Sequence, residues 1–399
     1  MLDAVFARPR LTGPVEPGAT LAQLRLADLR SYASLEVEFG PGPHLVWGPN
    51  AAGKTSLLEA MVVLARGGSH RTTTDAELIR WGADVARIEG RTGTDELDVA
   101  FVRPGSAAAA TGAKKRIRVN GVARRATGLA ERLRVVLFAP EDMLLVAGSP
   151  SLRRAAIDQL AATLVPGYAA ELATYGRALQ QRNGLLRAIR EETAARDELR
   201  YWDRPFLEAG GAVVGARHAL LKRLAGPLAA AHREIAPEEG AAGALELTYV
   251  TNAPAGAGET PRDALERRLA ETAEKEVWNG TTLIGPHRDD VAFEMTRRDL
   301  AAFASRGQQR TAILALKLAE LDLVTEHDER APLLLLDDVF SELDPARRAH
   351  LVRRIADLPQ AFVTTTTLDD LDPALRAIAT PWEVRPEDAG ASLARSAHG

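Results

Sequence analysis

The 399-residue sequence contains no cysteine, which excludes disulfides, thiolate zinc sites and cysteine nucleophiles. It has little net charge: −4 gives no sign of a nucleic-acid partner, so any such surface must be local. No apolar run approaches the roughly 18–20 residues of a membrane span. Sustained heptads are missing too, which argues against a long coiled coil, and there is no internal repeat. Residues 1–20 hold Pro9, Pro14, Pro17, Gly13 and Gly18 but no apolar segment of the signal-peptide kind. These absences lead to the expectation of a cytoplasmic protein, with room for two or three domains and a flexible extension over 1–20.

What is present centres on residues 48–55, Gly-Pro-Asn-Ala-Ala-Gly-Lys-Thr, which fit the phosphate-loop pattern G-x-x-x-x-G-K-[ST]. His44–Trp47 reads as the strand entering the loop, and Ser56–Leu64 as the helix leaving it. Gly48 and Gly53 allow the backbone to curl so that its N–H groups point at phosphate oxygens. The helix N-terminus adds its partial positive charge. Lys54 has the reach for the β- and γ-phosphates, and the Thr55 hydroxyl is a Mg²⁺ ligand by type. The expected nucleotide contacts are therefore Gly48, Pro49, Asn50, Ala51, Ala52, Gly53, Lys54, Thr55 and Ser56.

Around the loop the pattern alternates between sheet and helix. Leu24–Leu26 and Leu35–Phe39 read as strands, and residues 85–122 as antiparallel strands with a hairpin turn at Asn120-Gly121. Basic residues crowd that hairpin: Lys114, Lys115, Arg116, Arg118, Arg124, Arg125, Arg132 and Arg134. They are either a solvated face or a phosphate-contacting patch. Residues 150–235 are helical in character, with breaks expected at Pro166-Gly167, Pro205 and Gly210-Gly211. Leu333–Leu336 reads as a central parallel strand. Asp344-Pro345 reads as a helix start, with Asp344 as N-cap.

A phosphate loop needs a carboxylate for Mg²⁺ at the end of an apolar strand. Asp337 fills that place, and Asp338 beside it is positioned to orient or deprotonate the attacking water. Most of the chain separates Lys54 from Asp337, so the nucleotide-binding core must be split around an inserted lobe. Upstream, Ser305-Arg306-Gly307-Gln308 opens a long helix, with Ser305 as cap and free N–H groups forming a second anion site.

Ser305-x-Gly307-Gln308, the strand ending in Asp337-Asp338, and Ser341-Glu342-Leu343-Asp344 resemble the signature, Walker B and D-loop series of ABC-type ATPases. More closely, the chain resembles the RecF family of bacterial recombination mediators. Four segments carry the likeness: Ser69–Thr72, Leu137–Arg154, Gly285–Asp290, and Ser305–Arg310 running on to Asp337-Asp338. The resemblance spans roughly residues 21–375. It implies an α/β ABC-type ATPase head, a split core with a parallel and an antiparallel sheet, and an inserted, mainly helical lobe. The expected parts are residues 21–148 and 278–399 for the core halves and 149–277 for the lobe.

The resemblance further implies an ATP-dependent homodimer, with Mg²⁺ as cofactor, in which the signature of one subunit meets the γ-phosphate held by the other. Ser305, Gly307 and Gln308 would then join the nucleotide contacts. Arg30 is carried over as a nucleotide contact, and Thr364 or Thr366 stands where transporters have a switch histidine. By the same resemblance, the protein would bind DNA without sequence reading, at gaps and single/double-strand junctions. It would act with RecR and RecO to load RecA.

Asp338 replaces the glutamate usual in ABC-type ATPases. One methylene less draws the carboxylate back by about 1.5 Å, and a ~1 Å misplacement costs about 10²-fold, so a weak, DNA-dependent ATPase serving as a switch is expected. The alternatives from other classes are a non-hydrolysing DNA scaffold of the SMC/ABC type and a small-molecule P-loop kinase. Ser69-His70-Arg71 is a candidate DNA or nucleotide contact, and His287–Asp290 a candidate brace where the lobe rejoins the core.

Overall fold

The helix that follows the phosphate loop, α1 (Lys54–Arg66), sets the layers around it. Every residue from Leu57 to Leu64 is inaccessible to solvent, and a helix apolar on all sides has to be covered on all sides. In the computed structural model, which describes residues 20–106, 108–109, 114–368, 371–387 and 390–396, two sheets do this. The expected flexible extension lies outside the described residues except for residue 20.

The first sheet is antiparallel. It comprises β1 (Leu21–Leu29), β2 (Tyr32–Glu38), β4 (Val85–Thr92), β5 (Asp95–Val102), β6 (Lys115–Val119) and β7 (Val122–Ala123), in the order β2-β1-β4-β5-β6-β7. The β6–β7 turn has Asn120 at φ 52° and Gly121 at φ 75°, the left-handed pair that a two-residue type I′ hairpin demands.

The second sheet runs β15-β14-β3-β13-β12-β8. Its members are β3 (Gly42–Trp47), β8 (Val135–Phe138), β12 (Leu333–Leu336), β13 (Gln360–Thr365), β14 (Thr380–Glu387) and β15 (Gly390–Arg395). β14, β3, β13, β12 and β8 are parallel, and β15 is an antiparallel edge. All four leucines of β12 are buried, as a strand covered on both faces requires. α1 packs on β1, β4 and β5 of one sheet and on β8 and β13 of the other. The strand before the loop and the strand carrying Asp337 thus enter one sheet from opposite ends of the sequence.

These sheets form one compact unit, built from the described residues up to Asp142 together with those from Glu320 onward. The other unit is Met143–Ala319. With only the longer helices numbered, it contains α2 (Pro150–Leu164), α3 (Tyr168–Arg190), α4 (Arg200–Ile235) and α5 (Pro261–Asn279). A small sheet, β11 (Arg298–Asp299), β10 (Asp290–Met295) and β9 (Leu245–Val250), belongs to the same unit. Its core gathers Tyr175, Phe206, Leu207, Leu265, Leu269 and Ile284. The long helix α6 (Arg306–Asp328) begins in this unit and ends in the other.

Two expectations are corrected here. The lobe is longer than 149–277, because β10 pairs along its whole length with β9 and so keeps residues 290–295 with the helices. The expected breaks at Pro205 and Gly210-Gly211 do not occur: α4 runs unbroken through both and through Pro227. The glycines serve packing instead. A Cβ on Gly211 would lie 2.8 Å from Cβ of Arg262, and one on Gly210 would lie 3.2 Å from the Tyr175 ring. α3, α4 and α5 cross too closely there for a side chain. At Pro166-Gly167 the helix does stop, with Gly167 left-handed at φ 83°.

Candidate nucleotide-binding site

β3 delivers the chain to Gly48, where φ is +151° and a Cβ would lie 2.3 Å from the carbonyl oxygen of Val384 on β14. Gly53, at φ 118°, is equally confined: a Cβ would sit 2.7 Å from Ser31 Oγ. Between them Ala51 is left-handed at φ 62°, and the Ala52 N–H donates to Pro49 O at 3.3 Å. The loop therefore curls over a glycine at each end. No side chain caps α1 and no acid stands in its first turn. Its leading N–H groups thus lack an intrahelical acceptor, which suits them to an anion.

Lys54 Nζ donates to the carbonyls of Gly48 (2.7 Å) and Pro49 (2.9 Å), folded back on its own loop. Burial lowers its pKa, while Asp338 and Asp337 oppose the shift.

Asp337 follows directly on β12, its N–H donating to Phe138 O on β8 at 2.9 Å. The Thr364 hydroxyl on β13 donates to Asp337 Oδ1 at 2.7 Å and accepts the Asp338 N–H at 2.9 Å. Asp338 itself is left-handed (φ 51°), and its carbonyl accepts from Ser341 Oγ at 2.7 Å. Left-handed backbone is tolerated better by aspartate than by longer side chains. That supplies a local reason for aspartate here.

A cavity of about 350 Å³ opens between these parts. Six of the expected contacts line it from the loop side: Asn50, Ala51, Gly53, Lys54, Thr55 and Ser56. Asp337 and Asp338 line it from the β12 side. Gly48, Pro49 and Ala52 belong to the loop but not to the cavity lining. The donors fit a nucleoside triphosphate with Mg²⁺: Thr55 and Asp337 face one cavity, and Asp337 is already oriented by Thr364.

Two expected contacts, Arg30 and Thr366, fall outside the cavity lining. Arg30 Nε and Nη2 grip Glu59 at 2.9 and 2.8 Å, and Nη1 donates to Glu77 O at 2.8 Å. Its neighbour Ser31 does line the cavity, with a buried Oγ that has no hydrogen-bond partner among the described residues. Nothing in the local sequence marked Ser31 out. Thr366 lies past the end of β13 and is half-buried, outside the cavity lining; Thr364 is the residue that holds the two acids. Arg71 also lines the cavity.

The Ser305–Gln308 segment belongs to the helical unit. It closes a reciprocal cap on α6. Gln308 N–H donates to Ser305 Oγ at 3.3 Å, and Ser305 N–H to Gln308 Oε1 at 3.0 Å. Ser305, Arg306 and Gly307 are exposed. A Cβ on Gly307 would meet nothing nearer than Ser305 Oγ at 3.8 Å.

The basic hairpin splits into two groups. Lys115 pairs with Asp75, Arg132 with Asp95 and Arg134 with Asp328. Lys114, Arg116, Arg118, Arg124 and Arg125 are exposed and make no ion pair among the described residues.

Residues 285–290 tie the helical unit together. Tyr175 OH and His287 Nδ1 share a hydrogen bond (2.6 Å), Tyr249 OH donates to Asp289 (2.7 Å), and Arg217 donates to Pro286 O (2.8 Å). Arg153 grips Asp290 with both ends of its fork.

With this geometry in hand, comparison with known proteins gives a consistent result. The family described as "RecF/RecN/SMC N terminal domain" matches residues 20–381. A relative in Symbiobacterium thermophilum named "DNA replication and repair protein RecF" is 40% identical over 360 residues, covering 88% of this chain and 92% of that one. A solved structure described as the recombination mediator protein RecF-ATP in the RecFOR pathway superposes with a TM-score of 0.83 at 26% identity, covering 97% of this chain and 100% of that one. The Smc head domain from Pyrococcus furiosus shares the fold, with a TM-score of 0.52 at 15% identity over 94% of this chain and 96% of that one.

Proposed function

The chain belongs to the RecF family of DNA replication and repair proteins, and from that premise we propose that it is an ABC-type ATPase whose ATP-bound form is a head-to-tail homodimer that clamps DNA. The N–H groups of Gly53 to Ser56 and the Lys54 ammonium receive the phosphates, Lys54 exchanging two carbonyl bonds for charge-assisted ones. Mg²⁺ held by Thr55 and Asp337 would neutralise charge on the β- and γ-phosphates. Asp338 directs the attacking water. Its short side chain on a left-handed backbone favours slow turnover, so ATP acts as a timed clamp.

The observation that carries the dimer is the exposed Ser305–Gln308 cap. Gly307 has open space on its own chain, so what needs its missing side chain is a surface brought from outside. A second subunit's bound triphosphate is the natural occupant, and a two-fold arrangement makes two equivalent sites. ATP then stabilises the dimer by its preference for that state. DNA would be held through its phosphates, without base reading. Within that pathway RecR and RecO would be partners and RecA loading at gaps the outcome.

Sedimentation of wild type and Ser305→Arg tests this, each without nucleotide, with ADP, and with ATP and Mg²⁺. Doubling of mass for wild type with ATP alone is the expected result. A mass that ignores ATP while nucleotide still binds overturns the clamp and moves the kinase or scaffold reading ahead.

A further inference from the structure

Glu59 sits on α1, five residues after Lys54, and is wholly buried. A buried carboxylate is costly unless paired, and Arg30 supplies the pairing through both ends of its fork. One arginine already balances the charge, yet Glu59 has two further partners. Ser69 Oγ donates to Glu59 Oε1 at 2.5 Å. The same hydroxyl accepts the N–H groups of Arg71 (2.9 Å) and Thr72 (3.3 Å), fixing the turn that follows α1. Arg71 Nη1 then stands 3.7 Å from Glu59 Oε2, attracted but beyond hydrogen-bond distance. Arg71 also lines the cavity that holds Lys54 and Asp337.

Glu59 thus holds Arg71 twice: by its backbone, through Ser69, and by its head, through charge. The head is left uncommitted and 39% exposed. Building on the ATP-site reading above, we propose that Glu59 is a positioning residue for nucleotide binding, which presents the Arg71 guanidinium to the nucleotide's phosphates through Ser69. Glu59 touches no nucleotide itself. It converts a mobile surface arginine into one already aimed, which lowers the ordering cost of binding.

A double-mutant cycle separates this from a structural role. Affinity for a fluorescent ribose-labelled ATP with Mg²⁺ is measured for wild type, Glu59→Gln, Ser69→Ala, Arg71→Ala and the two doubles that combine Arg71→Ala with each of the others. A charge-assisted hydrogen bond sets the scale: Arg71→Ala weakens binding by about tenfold or more. Glu59→Gln, which keeps shape but not charge, and Ser69→Ala each weaken it severalfold. Each double binds no worse than Arg71→Ala alone, because the path runs through Arg71. Independent, multiplying effects overturn the proposal, as does unchanged affinity in either single variant. If Glu59→Gln unfolds, the Ser69 arm decides. Failure of wild type itself to bind the probe would instead sink the ATP-site reading, for which Lys54→Ala is the control.

Discussion

Thr364 and Asp337 face each other across neighbouring parallel strands, hydroxyl to carboxylate at 2.7 Å. The same hydroxyl oxygen receives the Asp338 N–H. One side chain therefore fixes the orientation of the metal-ligand candidate and the backbone of Asp338, the residue proposed to direct the attacking water. The Thr364 side chain points into the acid pair.

Thr364→Val keeps the β-branched shape of a strand residue and removes both bonds. Misorientation of a catalytic group costs about 10²-fold for ~1 Å. The variant is expected to lose about one to two orders of magnitude in ATP turnover while its nucleotide affinity changes by less than about threefold. Turnover and affinity measured on the same preparation check this. A parallel loss of binding would mean that Thr364 holds the strand end rather than the acids.

His287 gives a pH dependence with a definite sign. Burial, aided by Arg288, Arg154 and Arg182, lowers its pKa to about 4 against an ordinary value of 6.5. Nε2 faces the Thr282 carbonyl, which can only accept. The neutral ring that fits therefore carries its proton on Nε2 and leaves Nδ1 as acceptor toward Tyr175 OH. A ring protonated on both nitrogens has no acceptor to offer. The unfolded chain thus binds a proton that the folded chain refuses between pH ~6.5 and ~4. The contribution is complete above the higher value and disappears as pH falls toward the lower one. Thermal melts of wild type should fall over that window, and His287→Gln should flatten the fall while lowering stability at pH 7.5. An equally steep fall in the variant assigns the effect to other groups, the buried His44 among them, whose pKa is also lowered by burial.

Features with local physical causes were readable from the sequence. Asp344 caps the helix Pro345–Ala356 by accepting from Arg347 N–H. Asn120-Gly121 makes its turn because only those residue types accept left-handed backbone cheaply. Leu333–Leu336 lies between β8 and β13 because four leucines ending in two acids fit only a strand covered on both faces. Features set by distant partners were not readable. Gly211 looks like a helix breaker until Arg262 is seen against it. Arg30 looks like a nucleotide contact until Glu59 claims it. Glu59 itself is one acid in an apolar helix, and only the folded chain brings Arg30, Ser69 and Arg71 to it. Ser31 lines the cavity because the turn between β1 and β2 lies against Gly53 and is held by Ala391 N–H on Ser31 O.

The basic hairpin yields the last prediction, because the structure separates its charges by use. Arg134 is bonded to Asp328 at 2.7 Å and is partly buried, so its loss is a loss of packing. Arg116, Arg118, Arg124 and Arg125 are exposed and unpaired among the described residues, and Arg124 and Arg125 line a shallow cavity beside the hairpin. Cations with no internal work are available for phosphates. Each phosphate contact contributes about 0.9 to the slope of log affinity against log salt for duplex DNA. Arg124→Ala with Arg125→Ala should weaken duplex binding uniformly across sequences, lower that slope by about one to two, and leave ATP affinity and melting temperature unchanged. Arg134→Ala should instead lower the melting temperature with little change in the slope. Titrations of a fluorescent duplex at several salt concentrations, with ATP and Mg²⁺ present, read both quantities. An unaltered slope in the Arg124/Arg125 variant would return the hairpin to an ordinary solvated face and place the DNA surface elsewhere on the molecule.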